Sequence, residues 1–464
     1  MIYLKFLGAI ASIGGAGYCV FLICARFCKD RHALTGNEQL VISFGFGTVL
    51  IGIEMFLMSL LHIRFSPLRI LLLQAPLYSV FFVKSNTQGA IKHLSIRRER
   101  REGGLLSSIF VGLICFNAFY VMCNAVSLPF FEWDSWCNFG YNAKIFYLTK
   151  KIDPALLTAS YAGIPHPDYP PAISLAEAYL YLFLGTIHEP LVKLWISCHY
   201  LFLIVVFYCV LRRWHARTLA LGFTFMLSSI PQIISGAPTG YIDVAVTFYI
   251  TAGILYFWLY LKEGKAIFLC ISSVFLGLSM WVKNEALSAY LSLIGAGFLM
   301  WLIMPDAREA IVKLRKKLML AFLAPFLIIG PWVLFRHYYH IVPAYFKGTL
   351  VGIPMLIRTR LPQVLKLLMS ELMQVSHWNI TWYLFIACCV LYGYHRREKM
   401  GILFIFIIFF QSLSYVLIYC IWPVPQEEVF VHILNSQCRV LIVLAPLALF
   451  FIAQQISAVS KRNC

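Results

Sequence analysis

The chain has 464 residues, 61% of them hydrophobic and only 12% charged, with a mean hydropathy of +0.79, whereas soluble domains run at about 45–50% apolar and about 25% charged. That composition excludes a water-soluble enzyme. The net charge of +18, from 38 Lys+Arg against 20 Asp+Glu, would suit nucleic acid in a soluble protein. Here the cations collect in short loops between apolar stretches, where they report membrane orientation instead. The fourteen Cys lie mostly inside apolar segments with no CxxC pair, so neither a disulfide framework nor a zinc site is indicated.

A helix needs about 20 apolar residues to cross a bilayer core. On that basis the sequence predicts an all-α polytopic membrane protein of about thirteen spans, near 3–25, 39–62, 68–83, 104–128, 189–211, 218–235, 243–261, 266–282, 286–303, 318–336, 378–394, 401–421 and 439–457. The first of these is too long for a signal h-region and reads as a spanning helix. Segment 172–187 is short and carries Glu177, Tyr179 and Tyr181, which suits an interfacial or re-entrant helix better than a span. With that segment not crossing, seven basic clusters fall on one side. They are Arg26/Lys29/Arg31, Lys92 to Arg101, Arg212/Arg213/Arg217, Lys262/Lys265, Arg308 to Lys317, Arg396/Arg397/Lys399 and Lys461/Arg462. The positive-inside rule makes that side cytoplasmic. Two long loops, 129–188 and 337–377, and a shorter one at 422–438 then lie on the opposite face. The whole reads as a single transmembrane domain without internal repeats, in which 1–103 carries no recognised motif and 104–464 carries all the candidate chemistry.

The first loop opens Phe130-Phe131-Glu132-Trp133-Asp134-Ser135-Trp136. Trp133 and Trp136 fit an interfacial aromatic belt, but carboxylates beside a membrane need a cation, a substrate hydroxyl or a proton to serve. On an extended strand Glu132 and Asp134 would face the same side, and on a helix they would diverge. Further on, His166-Pro167-Asp168-Tyr169-Pro170-Pro171 is a rigid turn presenting three polar side chains, with Asp168 alternatively a cap for the helix that follows. Asp243, after Gly240-Tyr241-Ile242, either caps its helix or faces a substrate. Lys283-Asn284-Glu285 is a second tight external turn, explicable by a mutual Lys283–Glu285 contact. Arg358 and Arg360 begin an amphipathic segment, Leu361 to Met373, suited to an interface, with Leu361, Leu365, Leu368 and Met369 at helical spacing. Arg439 stands at the start of the last span, either as a phosphate clamp or snorkelling to the interface.

The order of these strings, with Lys144 downstream of the first and Asn435-Ser436-Gln437-Cys438-Arg439 as the last, resembles the GT-C superfamily of polytopic glycosyltransferases. Similar strings occur in the branch related to protein O-mannosyltransferases and lipid A aminoarabinose transferases. The resemblance covers about residue 104 to the C-terminus. It implies a polyprenyl-phosphate-linked sugar donor, GT-C-like extracytoplasmic loops and a catalytic Asp in the first of them, here Asp134, with Glu132 as rival base. It also implies a second acid at the start of a later span, here Asp243, and a cation for the lipid phosphate, here Arg439. Trp133, Trp136, Lys144, His166, Asp168, Tyr169, Lys283, Glu285, Arg358 and Arg360 are the other substrate-binding candidates. Two departures stand out. The aminoarabinose branch has Lys where this chain has Tyr169, and the first loop has Glu132-x-Asp134 in place of the Asp-x-Asp of a metal site.

The expected partners are therefore the lipid-linked donor, an acceptor that is a glycan, lipid or protein, and membrane lipid, with no nucleic acid. The expected location is a bacterial inner membrane or its equivalent. No cofactor is demanded by these residues, and a divalent metal is left open. The competing readings are a multi-span transporter or flippase of lipid-linked sugars, for which Glu54 is the one acid clearly inside a span, and a non-catalytic membrane scaffold.

Overall fold

A computed structural model describes residues 1–28, 33–84, 104–159, 164–342, 353–395, 401–422 and 424–460, and among these it is built of helices without strands. The basic residues at 29–31, 92–101, 396–399 and 461–462 lie outside the described residues. In chain order the helices are α1 (Ile2–Phe27), α2 (Gly36–Leu60), α3 (Pro67–Lys84), α4 (Leu105–Ser127), α5 (Gly140–Thr149), α6 (Pro154–Thr158) and α7 (Ala172–Leu184). There follow α8 (Glu189–Arg212), α9 (Arg217–Ser228), α10 (Pro231–Gly236), α11 (Asp243–Glu263), α12 (Ala266–Val282), α13 (Glu285–Ile303) and α14 (Pro305–Tyr338). The last are α15 (Ile353–Leu372), α16 (Val375–Trp378), α17 (Thr381–His395), α18 (Ile402–Ile421), α19 (Gln426–Leu441) and α20 (Ala445–Ser460).

Nine stretches among the described residues are long and apolar enough to cross a membrane, or ten if α9 and the segment from Pro231, bent by 59°, make one broken span. The expected thirteen are not reached. Of the missing spans, α12 and α17 are apolar but shorter, at 17 and 15 residues, and α3 is an 18-residue helix with Pro76 inside it. An apolar run in a sequence records burial in protein as readily as contact with lipid. α12 is buried along most of its length, and it nevertheless runs the length of α11, from Lys265 beside Glu263 to Lys283 beside Asp243.

The bundle is organised around close contacts that also fix relative depth. α1 and α2 run antiparallel, so near each other that a Cβ on Gly17 would stand 1.8 Å from the Ser43 carbonyl oxygen and one on Gly47 1.9 Å from that of Ile13. Only small residues permit such an approach between membrane helices. α11 lies antiparallel to α2, its Tyr249 hydroxyl donating to the Gly45 carbonyl (2.6 Å) and its Tyr256 hydroxyl to Glu38 (3.2 Å). At this end of the bundle Arg213 pairs with Glu38 (2.8 Å) and Glu263 (3.7 Å), and Lys265 with Glu263 (2.5 Å). Carrying the register back from Tyr249, Asp243 falls level with about Ile51, near the other end.

Of the two forms expected for segment 172–184, interfacial or re-entrant, the interfacial one is corrected. Every residue of α7 but Phe183 is buried, so it lies inside the bundle. Its start rests on α2, where a Cβ on Gly52 would be 2.7 Å from the Ala172 backbone. Its end returns to the first turn of α1, where Lys5 donates to the Leu184 carbonyl (3.3 Å). Gly52 precedes the end of α2 by two turns, about 12 Å at 1.5 Å per residue, and Lys5 lies level with the last turns of α2. The chain thus dips into the bundle before α7 and comes back through it. A helix apolar on all faces is stable only when surrounded, and here the surroundings are α1, α2, α5 and α12. The motif-free N-terminal helices α1 and α2 are therefore what α7 packs against.

Candidate active site

The first loop is tied down before it reaches its acids. The Phe130 N–H donates to Glu189 (2.9 Å), and Lys193 donates to the Pro129 carbonyl (3.2 Å). Lys144, expected to bind substrate, instead completes this anchor by pairing with Glu189 (2.5 Å). The loop then tightens into a π-helical turn, Ser135–Phe139, opening α5. Asp134 sits at the start of that turn and pairs with Arg439. Two residues earlier, the Glu132 carboxylate accepts from the Tyr241 hydroxyl (3.2 Å), and the Arg439 guanidinium lies 3.9 Å over the Tyr241 ring. Both acids thus reach one neighbourhood, because the turn begins between them.

Asp243 is the first residue of α11 and makes no side-chain cap there. Its carboxylate accepts from Lys283 (2.8 Å) and from Arg439 Nε (2.9 Å). Lys283, at the end of α12, also pairs with Glu285 (2.9 Å), so the expected Lys283–Glu285 contact exists without exhausting the ammonium. The result is a continuous alternation, Asp134–Arg439–Asp243–Lys283–Glu285, buried at Asp243 and Lys283 and half-buried at both ends. Beside it Asn284 donates to Asp168 (2.7 Å). Asp168 is buried with its second oxygen unpartnered, and it caps no helix, since Pro171 holds the cap position of α7. His166 stacks on Tyr169 (centroids 4.6 Å) and Tyr169 on Phe139 (5.9 Å).

The electrostatics follow from burial against charge. Burial holds the His166 imidazole below its ordinary pKa; Asp168 and Asp134 pull upward, while Lys283 and Arg439 push down. Burial alone would also lower Lys283, but Asp243 and Glu285 outweigh it and hold the ammonium well above its usual range. The Tyr169 phenol is pushed up, chiefly by burial.

Several expected residues lie elsewhere. Trp133 and Trp136 are 65% and 54% exposed, pointing out of the cluster as an interfacial belt would. Arg360 is buried and donates to the carbonyls of Cys420 (3.2 Å), Trp422 (2.6 Å) and Val424 (2.7 Å), which ends α18; Arg358 is exposed. Their helix, α15, begins at Ile353 and buries Arg360, Val364, Leu368 and Glu371. Of the residues at helical spacing, Leu368 is buried while Leu365 and Met369 are exposed at the protein surface, because α15 docks on α18 and α19.

Three residues of the site were not singled out as binding residues. Tyr241 and Asn284 lie inside recognised strings, and only their partners reveal them. His432 is seven residues before Arg439 on α19, a spacing that places both on one helix face. It stacks on Trp422 (5.1 Å) and senses the charges of His166, Asp134, Arg439 and Lys283. Among the described residues no group of three or more His, Cys, Asp or Glu is arranged to hold a metal ion. Comparison with protein-family models, with curated proteins and with solved structures gives no match to this chain.

Proposed function

We propose that this chain is an integral membrane glycosyltransferase, moving a sugar from a polyprenyl-phosphate-linked donor to an acceptor on the extracytoplasmic side. The observation that carries this reading is the shared cation: Asp134 from the first loop and Asp243 from the start of α11 both bind Arg439. The cluster lies level with about Ile51 of α2, toward one end of the bundle, where a lipid-linked substrate could keep its tail in the bilayer. The basic end of the bundle, with Arg213 and Lys265, is the cytoplasmic one.

In this mechanism Asp134 is the general base. The acceptor's O–H or N–H proton passes to Asp134 as the nucleophile bonds to the anomeric carbon. The bond from that carbon to the phosphate oxygen breaks, and the lipid phosphate leaves with the electron pair. Arg439 turns from Asp134 to the departing phosphate, which stabilises the leaving group and leaves Asp134 able to hold the proton. Asp243 and Lys283 keep Arg439 in place.

The test is transfer of a labelled sugar from a polyprenyl-phosphate donor by purified variants. Asp134→Asn should lose about 10²- to 10⁴-fold in rate with donor binding retained, and Glu132→Gln far less. Full activity in Asp134→Asn with none in Glu132→Gln would move the base to Glu132; full activity in both would end the reading. A second reading, transport or flipping of a lipid-linked sugar, is favoured by the 59° break that delivers the chain to Tyr241 and Asp243, since transporters use discontinuous helices at their substrate sites. Movement of labelled lipid across vesicles without any product would select it.

A further inference from the structure

α5 and α7 run side by side in the same direction, with a register set by two contacts. The Ser174 hydroxyl donates to the Phe139 carbonyl (3.0 Å), and the rings of Tyr147 and Tyr181 meet edge-on at 5.9 Å. Ser174, Glu177 and Tyr181 share one face of α7 by their spacing, so that face looks at α5. The same register sets Glu177 opposite Asn142, with Asn138 one turn back.

All four polar residues, Asn138, Asn142, Glu177 and Tyr181, are buried. Asn142 donates to Asn138 over a long 3.4 Å. The Asn142 amide oxygen, both Glu177 oxygens and the Tyr181 hydroxyl have no hydrogen-bond partner. Protein interiors rarely leave such groups unsatisfied, and an unpaired carboxylate there is costly. Lys144, whose field reaches Glu177, is already committed to Glu189 at 2.5 Å.

We propose that Glu177, Asn142 and Tyr181 form a binding site for a monovalent alkali cation, Na⁺ or K⁺, held between α5 and α7. The unpartnered oxygens of Asn142, Glu177 and Tyr181 are the donor set that hard cations take, while the Asn138 amide nitrogen beside them, also unpartnered, is not a ligand. One positive charge cancels the one carboxylate; a divalent ion would leave a net charge buried, because Lys144 and Glu189 already neutralise each other. The bound ion would clamp α7 to α5, and so tie the turn holding His166 and Asp168 to the turn holding Asp134. The proposal does not depend on the transferase reading.

The test is the apparent melting temperature of the purified full chain in detergent, with NaCl, KCl or N-methylglucamine chloride at equal ionic strength. Wild type should show a saturable upward shift with Na⁺ or K⁺ over N-methylglucamine, larger at pH 8 than at pH 5, where protons compete for Glu177. Glu177→Gln and Asn142→Leu should each abolish the ion-specific part. Line broadening of ²³Na on wild-type protein, reversed by K⁺ if the ions share the site, gives a readout that needs no variant. Equal melting in all three salts with no ²³Na broadening would overturn the proposal, as would the same ion-specific shift in Glu177→Gln. Whichever of Na⁺ and K⁺ gives half-maximal shift at the lower concentration is the preferred ion.

Discussion

Asp134 and Asp243 hold one guanidinium between them: Arg439 donates through a terminal nitrogen to Asp134 and through Nε to Asp243 at 2.9 Å. The two ends differ in setting. The Asp243 side chain is 6% exposed and also held by Lys283, whereas that of Asp134 is 17% exposed. A buried pair that loses one member leaves an uncompensated charge, a loss of about 3–5 kcal/mol, while an exposed pair is worth about 0–1 kcal/mol. Arg439→Ala should therefore lower stability by about 3 kcal/mol. Asp243→Ala should cost more than Asp134→Ala, and thermal melts of the three variants in detergent check the order. Equal losses at Asp134 and Asp243 would show that depth does not decide the strength of this network.

His166 sets the acid side of the stability profile. Its pKa in the folded chain is held below the ordinary 6.5, so on acidification the unfolded state takes up this proton first. Stability from this group is full above about 6.5 and falls as pH drops toward the folded value. Lys283 has the opposite sign: its pKa is raised, so its contribution is full below about 10.4 and is lost only as pH rises beyond that. Between pH 5 and 7 the melting temperature of wild type should thus fall on acidification more than that of His166→Gln. Parallel curves would remove His166 from the account.

Gly240 joins the Asp243 segment to the first loop. It adopts φ +85°, and a Cβ there would stand 2.5 Å from the Phe130 ring and 3.2 Å from Ser135 Cβ. Gly240→Ala should combine backbone strain of about 1–2 kcal/mol with a shifted loop. The expected result is lower thermal stability together with weaker sugar transfer, whereas Gly236→Ala, with open space around it, should leave both intact.

Arg360 serves the fold. Carbonyls at a helix C-terminus lack intrahelical partners and carry partial negative charge, and Arg360 donates to one of them, Cys420 in the last turn of α18, and to the Trp422 and Val424 carbonyls of the segment that follows. Arg360→Met should lower the melting temperature, at about 1.5–3 kcal/mol per charged hydrogen bond lost before relaxation, without weakening lipid-phosphate binding to the surviving folded protein. The exposed Arg358→Ala should change stability by less than about 0.5 kcal/mol. A drop in lipid-phosphate affinity in either variant would return these arginines to the substrate.

The sequence by itself determined the all-helical class and singled out most of the polar residues that the structure gathers into one cluster. Helix formation in an apolar chain follows from local composition, and polar residues at helix ends stand out against it, which is why Asp134, His166, Asp168, Asp243, Lys283, Glu285 and Arg439 were all legible. Tertiary structure alone decided their partners. Asp134 and Arg439 are 305 positions apart and Asp243 and Arg439 196, and no local pattern encodes a contact at that range. The same reason explains Arg360 and Lys144: a cation in sequence looks alike whether it meets a substrate, a helix terminus or Glu189. It explains α7 as well, because lipid and protein interior reward the same apolar side chains, and only packing tells a crossing helix from one that dips into the bundle and returns.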